Sequence, residues 1–145
     1  MTSPGEKKLP MAKLLLVDDD PVLLNLLGRL LRRAGHEVTE ANNGEECLAL
    51  ARAAREPFDV IVTDVMMPGL DGFELTQRLR ADPATREALV LVVTSGLHGT
   101  DPAQARLAGA DDADIKTVNV ARLNEKIEAL LTAHARGARR TVTAE

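Results

Sequence analysis

Carboxylate side chains follow two separate apolar runs of this 145-residue chain, and they are its strongest candidates for chemistry. Asp18, Asp19 and Asp20 come directly after one run, and Asp64 comes at the end of another. Carboxylates a few ångströms apart repel one another by several kcal/mol at an effective dielectric constant of about 20, so they must share a proton or bind a cation. An all-oxygen ligand set suits a hard divalent ion, and a small open site that keeps several waters suits Mg²⁺ better than Ca²⁺.

A bound Mg²⁺ keeps positions for phosphoryl oxygens, so these acidic residues predict a site that accepts a phosphoryl group on one carboxylate. Asp64 stands alone at the end of its apolar run and is therefore the predicted nucleophile. Asp18 and Asp19 are adjacent at the start of a loop into a helix, an arrangement that suits metal ligation. Two further runs end in Thr94 and Lys116, whose hydroxyl and ammonium groups are suited to contact phosphoryl oxygens.

Each of these residues also has an ordinary structural interpretation. Asp20 is most simply the N-cap of a helix that begins at Pro21, and Asp64 alone would be a turn residue. Thr94 alone would be a strand residue and Lys116 a surface charge. The functional interpretation is favoured because ligands of open parallel sheets bind beyond the carboxyl ends of the strands, where all of these groups are predicted to meet.

Short apolar runs alternate with helical patterns along the chain, and this alternation predicts an α/β fold with a parallel sheet covered by helices on both faces. The predicted strands are Leu14–Val17, Val38–Ala41, Val60–Val62, Leu89–Val93 and Ala113–Ile115. The predicted helices are Pro21–Ala34, Asn43–Arg55, Asp71–Ala81, a short helix capped by Asp101, and Val120–Arg136. Residues 1–11 and 137–145 are predicted to be flexible tails on either side of one domain, residues 12–136.

The composition is that of a single globular domain and argues against several classes of protein. Hydrophobic residues make up 45% and charged residues 28% of the chain, and 18 basic against 22 acidic residues give a net charge of −4. This acidic balance, with only two aromatic residues, argues against nucleic acid as the main partner. Cys47 is the only cysteine, so a disulfide framework is excluded, and no apolar run approaches the ~20 residues of a membrane helix. We expect a cytoplasmic protein with no membrane partner.

The residues singled out above also match a known family. Over roughly Ala12–Ala135 the chain resembles the receiver domain of bacterial two-component response regulators. The matching motifs are Leu14–Asp20, Asp64–Gly72, Thr94–Gly96, Gly109–Asp112 and Lys116. The separations agree as well, because Thr94 lies 30 residues and Lys116 lies 52 residues after Asp64.

The resemblance implies a flavodoxin-like (βα)5 fold, a doubly wound parallel five-stranded sheet with strand order 2-1-3-4-5. It implies that Asp64 accepts a phosphoryl group from a histidine kinase or a histidine phosphotransfer protein. It also implies that Asp18 or Asp19 holds Mg²⁺ together with Asp64 and the backbone carbonyl of Met66. The helix Pro21–Ala34 is, by the same resemblance, the docking face for a helix pair of the kinase.

Three positions near the end of the predicted sheet depart from the family pattern. Ala113 stands where an aromatic residue is usual, and Thr117 stands where a proline often follows a cis peptide bond. A cis bond before any other residue costs ~3–4 kcal/mol, so we expect a trans bond and an altered loop after Lys116. Asp114 is polar where an apolar residue is common, so we expect the fifth strand to be short or to lie at the sheet edge.

Met66 and Gly96 flank the predicted site, and neither side chain can orient an attacking water by hydrogen bonding. We therefore expect slow self-dephosphorylation at most, and not an enzyme. Two glycines within residues 96–100 predict a mobile loop, and phosphorylation is expected to bias the conformation of residues 94–108. Because only nine residues follow the last predicted helix, we expect the downstream effector to be another protein.

Three functions remain in competition. The first is a stand-alone phosphoacceptor module that signals through protein contacts, and the complete set of predicted site residues favours it. The second is a receiver-like scaffold that binds partners without being phosphorylated, and Ala113 and Thr117 favour it. The third is a Mg²⁺-dependent phosphohydrolase with an aspartate nucleophile, which would need a water-activating acid where Met66 stands.

Overall fold

A computed structural model of the protein describes residues 12–94, 102–116 and 119–143. Four of the predictions fall outside these residues: the N-terminal tail 1–11, the loop 96–100 with Gly96, the helix cap Asp101, and the peptide bond between Lys116 and Thr117. None of the helices in the described ranges is long and apolar enough to cross a membrane.

Strands and helices alternate along the described chain, as the sequence pattern predicts. The strands are β1 (Lys13–Val17), β2 (Glu37–Ala41), β3 (Val60–Asp64), β4 (Leu89–Thr94) and β5 (Asp112–Ile115). The helices are α1 (Pro21–Arg33), α2 (Gly44–Ala53), α3 (Gly72–Ala81), α4 (Pro102–Ala108) and α5 (Val120–Thr143). The strands form a parallel sheet in the order β2-β1-β3-β4-β5, which confirms the predicted fold class and strand order.

The central strands are covered on both faces because successive side chains of a strand point to opposite sides of the sheet. In β1, Leu14 and Leu16 belong to an apolar cluster with α1 and α5, whereas Leu15 and Val17 belong to a second cluster with α2, α3 and α4. Each fully buried leucine contributes roughly 1.5–3 kcal/mol relative to an exposed one. The second cluster also contains Cys47, and burial raises the pKa of its thiol to about 12.

Three helices begin directly after a residue whose side chain caps their first turn, and for α1 this residue is the predicted cap, Asp20. Asp20 accepts hydrogen bonds from the backbone N–H groups of Val22 and Leu23 at the start of α1. Asn43 accepts one from Glu46 at the start of α2. At the start of α3, Asp71 and the backbone and side chain of Glu74 bond reciprocally as a capping box. These local bonds hold three loops at the carboxyl edge of the sheet.

Helix α5 does not end where the sequence predicted. It continues to Thr143, so the predicted end at Arg136 is wrong and most of the predicted C-terminal tail, 137–145, is helical. The reason is that residues 133–136 and 138–140, on either side of Gly137, are mostly alanine and arginine, which favour helix, and that a single glycine costs only about 1 kcal/mol in a helix interior.

The two edge strands, β2 and β5, carry acidic side chains that are paired with arginines on neighbouring helices. Glu40 of β2 lies 3.2 Å from Arg32 of α1. Asp114 of β5 accepts two hydrogen bonds of 2.8 Å from Arg122 of α5, and these bonds lower the pKa of its carboxyl below the usual value. Strand β5 is four residues long and lies at the edge, as Asp114 predicted.

The lowered pKa of Asp114 makes this ion pair pH-dependent. A group whose folded-state pKa is depressed contributes stability above its unfolded pKa, about 3.9 for aspartate, and loses it as the pH falls through the folded value. We therefore expect Asp114→Asn to be less stable than the wild type at pH 7 and the difference to shrink below about pH 4. Urea unfolding between pH 3 and pH 7 measures this.

Arg122→Met is the matched variant for this prediction, because it removes the partner and leaves the carboxylate in place. Its stability should show the same pH dependence relative to the wild type. A stability difference for Asp114→Asn that stays constant from pH 7 to pH 3 would show that the pair contributes no pH-dependent stability.

Candidate functional site

The carboxyl ends of β1 and β3 meet because these strands are parallel neighbours, with Val17 opposite Thr63. Asp18 follows β1 directly and Asp64 is the last residue of β3. Single carboxylate oxygens of Asp18, Asp19 and Asp64 all lie within 4.8 Å of one another. Asp18 and Asp64 are buried, whereas Asp19 is exposed at the rim. The predicted acidic cluster is therefore confirmed as a cluster in space.

Lys116 is the described cation of this cluster, and it directly follows the edge strand β5. Its Nζ lies 2.8 Å from Oδ2 of Asp18 and 2.9 Å from Oδ2 of Asp64, so it bridges the two buried carboxylates. Its backbone N–H donates to the carbonyl of Thr94 at 2.6 Å, which ties the end of β5 to the end of β4. The structure thus brings Lys116 to the acidic residues, as the sequence predicted.

Burial and ion pairing shift the pKa values of Asp64 and Lys116 in opposite directions. Burial raises the pKa of Asp64 and the charge of Asp18 raises it further, while the hydrogen bond and charge of Lys116 act in the opposite direction. Burial alone would lower the pKa of Lys116, but its hydrogen bonds to Asp18 and Asp64 outweigh this and raise its pKa above the usual value. Lys116 is therefore held as an ammonium between two carboxylates.

Asp20 follows Asp18 and Asp19 in sequence but has a different role from theirs. Its carboxylate caps α1, and its backbone N–H donates to Oδ1 of Asp18 at 2.9 Å. Asp18 is thus held through both oxygens, by Asp20 on one side and by Lys116 on the other. The interpretation of Asp20 as an N-cap and of Asp18 as a member of the cluster is confirmed.

Thr94 and Met66 lie at the same edge of the sheet as the cluster, at the end of β4 and just after β3. Thr94 is the buried last residue of β4, and the backbone of Val65 bonds to the carbonyl of Val93 at 3.0 Å, so the ends of β3 and β4 are joined. Met66 follows two residues after Asp64, and its side chain is half exposed. Among the described residues, the predicted phosphoryl-contact and metal-site residues therefore all lie at one edge of the sheet.

Two glycines that follow helix caps shape the loop behind Asp64. A Cβ at Gly72 would overlap the carbonyl oxygen of Asp64 and lie 2.9 Å from Cα of Val65. A Cβ at Gly44, the first residue of α2, would lie 2.9 Å from Cβ of Leu70. Sequence reasoning did not assign either glycine this role, although the pairs Asn43-Gly44 and Asp71-Gly72 are the signal: a cap followed by a residue without a side chain.

The residues present fit a hard divalent cation. Three carboxylates against one ammonium leave the cluster with net negative charge, and carboxylate oxygens are the ligands that Mg²⁺ prefers. Several kcal/mol of repulsion between the carboxylates would be relieved by such an ion at an effective dielectric constant of about 20. The chemistry of the donor set therefore agrees with the predicted Mg²⁺ site.

A doubly wound sheet of order 2-1-3-4-5 with an acidic site at its carboxyl edge defines a flavodoxin-like protein with its site at the topological switch point. The sequence matches the response regulator receiver domain over residues 14–128, and the chain belongs to this family.

Individual relatives agree with this assignment. The chain is similar to Protein PilH of Pseudomonas aeruginosa, with 39% identity over 121 residues that cover 83% of this chain and 98% of PilH. It is also 39% identical to the gliding motility regulatory protein of Myxococcus xanthus, but spans only 13% of that protein. Matching segments therefore occur both as nearly entire proteins and as parts of longer ones.

Solved structures agree as well. The chemotaxis protein CheY4 of Vibrio cholerae superposes with a TM-score of 0.75 at 32% identity, covering 84% of this chain and 100% of that one. The response regulator TrrA of Thermotoga maritima, solved in complex with Mg²⁺ and BeF, superposes with a TM-score of 0.72 at 31% identity, covering 83% of this chain and 100% of that one.

The close approach at Gly72 predicts a local effect of adding a side chain. We expect Gly72→Ala to cost about 1–3 kcal/mol of stability, since overpacking against backbone atoms forces the loop to shift. The amide NMR signals of Asp64 and Val65 should shift with it. Gly35→Ala is the control: Gly35 has a positive φ of 106°, so alanine is strained there, but a Cβ at this position would meet none of the described atoms within 4 Å. This control should lose stability without moving those signals, and unshifted signals in Gly72→Ala would contradict the prediction.

Proposed function

We propose that this chain is a response regulator that accepts a phosphoryl group on Asp64, in a Mg²⁺-dependent reaction, from a histidine kinase or a histidine phosphotransfer protein. The observation that carries the proposal is the cluster of Asp18, Asp19 and Asp64 within 4.8 Å, bridged by Lys116. In this proposal the chain is a signalling module and not an enzyme, and its output is a contact with another protein. Cys47, unpaired and buried, supports a reducing, cytoplasmic location.

The proposed step is a transfer between two side chains. An oxygen of the Asp64 carboxylate attacks phosphorus, the new O–P bond forms as the P–N bond to the donor imidazole breaks, and the imidazole leaves with that electron pair and takes up a proton. Lys116 already lies at Asp64 and can pair with a phosphoryl oxygen, and the hydroxyl of Thr94 can donate to another. A Mg²⁺ ion held by Asp18, Asp19, Asp64 and the backbone carbonyl of Met66 would supply positive charge for the phosphoryl oxygens.

Helix α1 has exposed apolar side chains beside the site, and these favour a helical partner there. Val22 is 77% and Leu26 is 43% exposed, and a spacing of four residues puts them on one face of the helix. The helix begins directly after the acidic loop, with Asp20 as its cap. We propose that this apolar face binds the helix pair that carries the phosphohistidine.

A receiver-like scaffold that is not phosphorylated is the second candidate function. The observation that favours it is Ala113, a small, partly buried side chain on β5 that packs against the core cluster of α2, α3 and α4. A side chain of this size has no rotamer change with which to report the state of the site. The phosphorylation experiment separates the two candidates.

Phosphorylation should be visible as a change in mass. On incubation with Mg²⁺ and acetyl phosphate or phosphoramidate, we expect a gain of about 80 Da, the mass of one phosphoryl group. Asp64→Ala should show no gain, whereas Asp20→Ala should keep it, because Asp20 neighbours the cluster but uses its carboxylate to cap α1. Absence of any gain in the wild type would favour the scaffold, and rapid turnover of a phosphate monoester would favour a phosphohydrolase.

The half-exposed Met66 predicts a long-lived phosphoryl group. Its thioether cannot orient a water molecule, so we expect self-dephosphorylation to take minutes or longer after the donor is removed. The phosphoryl group on Asp64 should be hydrolysed about tenfold faster or more in Met66→Asn, since an amide can hold the attacking water. In Met66→Leu it should be hydrolysed at the wild-type rate. Loss of the phosphoryl mass from the wild type within seconds would contradict this.

A further inference from the structure

Lys116 depends on a strand that has little stability of its own. Strand β5 consists of Asp112–Ile115, whose two aspartates and one alanine are poor strand formers, and among the described residues it pairs only with β4. Lys116 follows it directly, so a slip of one residue in the β4–β5 register would move Lys116 by about 3.3 Å. The Nζ bonds of 2.8 and 2.9 Å to Asp18 and Asp64 would not survive such a shift.

The register of β5 is set at the opposite end of the strand by Asp111. Its backbone N–H donates to the carbonyl of Val90 at 2.9 Å, and its carboxylate Oδ2 accepts from the N–H of Val90 at 2.8 Å. Asp111 thus bonds both backbone groups of one residue of β4. This pairing allows only one alignment of β5 against β4.

The guanidinium of Arg80 in turn fixes Asp111. Its Nη2 donates to the same Oδ2 of Asp111 at 2.8 Å, and its Nε donates to the carbonyl of Gly109 at 2.8 Å. Gly109 adopts a positive φ of 109°, and a Cβ at that position would lie 3.0 Å from Cγ of Arg80. The turn between α4 and β5 is therefore fitted closely around this one side chain.

The remaining donors of Arg80 hold the segment that enters β4. Its Nη1 donates to the carbonyls of Arg86 at 2.8 Å and Ala88 at 2.6 Å. One planar guanidinium therefore joins the start of β4 to the start of β5. Lysine could not replace this arginine, because the four acceptors lie around a planar guanidinium and a single ammonium group cannot reach all of them.

We propose that Arg80 is a positioning residue for Lys116: it fixes the β4–β5 register from the amino-terminal edge of the sheet and so places the ammonium between Asp18 and Asp64. This inference rests on the proposed phosphoacceptor function. The described ion pairs of β5 itself join its side chains to α4 and α5: Asp112 to Arg106 and Lys126, and Asp114 to Arg122. They hold the strand against α4 and α5, whereas Arg80 and Asp111 align it with β4.

The test compares rates of phosphorylation by acetyl phosphate in the presence of Mg²⁺, at a temperature at which circular dichroism shows every variant to be folded. We expect Arg80→Met to be roughly ten- to a hundredfold slower than the wild type, as for a displacement of about 1 Å at a reacting group. Arg80→Lys, which keeps the charge but not the fork, should also be slower, and it carries the test if Arg80→Met does not fold. Thr85→Val is the matched control.

Thr85 is suited to this control because it is buried in the loop between α3 and β4 that Arg80 also contacts. Its hydroxyl donates to the carbonyl of Leu79 at 2.7 Å, and its described bonds include none to β5. Thr85→Val should therefore lose stability and keep the wild-type rate of phosphorylation. An equal loss of rate in Thr85→Val would mean that lower stability alone explains the effect, and the proposal would be overturned.

A double-mutant cycle with Lys116→Met shows whether Arg80 affects the rate of phosphorylation through Lys116. If Arg80 acts through Lys116, adding Arg80→Met to Lys116→Met lowers the thermal midpoint but leaves the rate within about twofold of the single Lys116→Met variant. An unchanged rate in Arg80→Met alone, or an equal loss in both backgrounds, would overturn the proposal. A wild type that takes up no phosphoryl group would instead overturn the proposed function, and this inference with it.

Discussion

Mutual repulsion between buried carboxylates is the constraint on which this structure depends. Asp18 and Asp64 sit side by side with little exposure, and Lys116 is the described cation that bridges them. Leaving either carboxylate without a partner would cost several kcal/mol, because a buried charge is tolerated only when it is paired. The repulsion arises because β1 and β3 are parallel neighbours whose carboxyl ends meet. It is offset by Lys116, which follows the edge strand β5.

Much of this arrangement could be predicted from the sequence because the signals are local. The apolar runs around Leu14 and Val60 identify buried parallel strands, and a parallel sheet necessarily gathers the residues at the carboxyl ends of its strands along one edge. Asp20 and Asp71 precede helical patterns at the spacing that caps require. For these residues the type of side chain and its place relative to a strand or helix end were sufficient.

The remainder could not be predicted, because it depends on contacts between distant segments. Arg80 looks like any arginine in the last turn of a helix, and only the folded chain shows its bonds to Gly109 and Asp111. The need for glycine at position 72 arises from a backbone approach that no sequence pattern measures. The predicted helix ended too early, because alanine and arginine residues on both sides of Gly137 continue α5 to Thr143.

The edge strands of the described sheet, β2 and β5, have a consequence for self-association. Exposed edge strands can recruit a strand from another chain, which is a common route to aggregation. Here Glu40 on β2 and Asp114 on β5 are each held in an ion pair with an adjacent helix. A strand added at either edge would have to dehydrate these charges, and two copies meeting edge to edge would bring like charges together. The same acidic residues that weaken β5 as a strand thus oppose fibre-like stacking of the protein at high concentration.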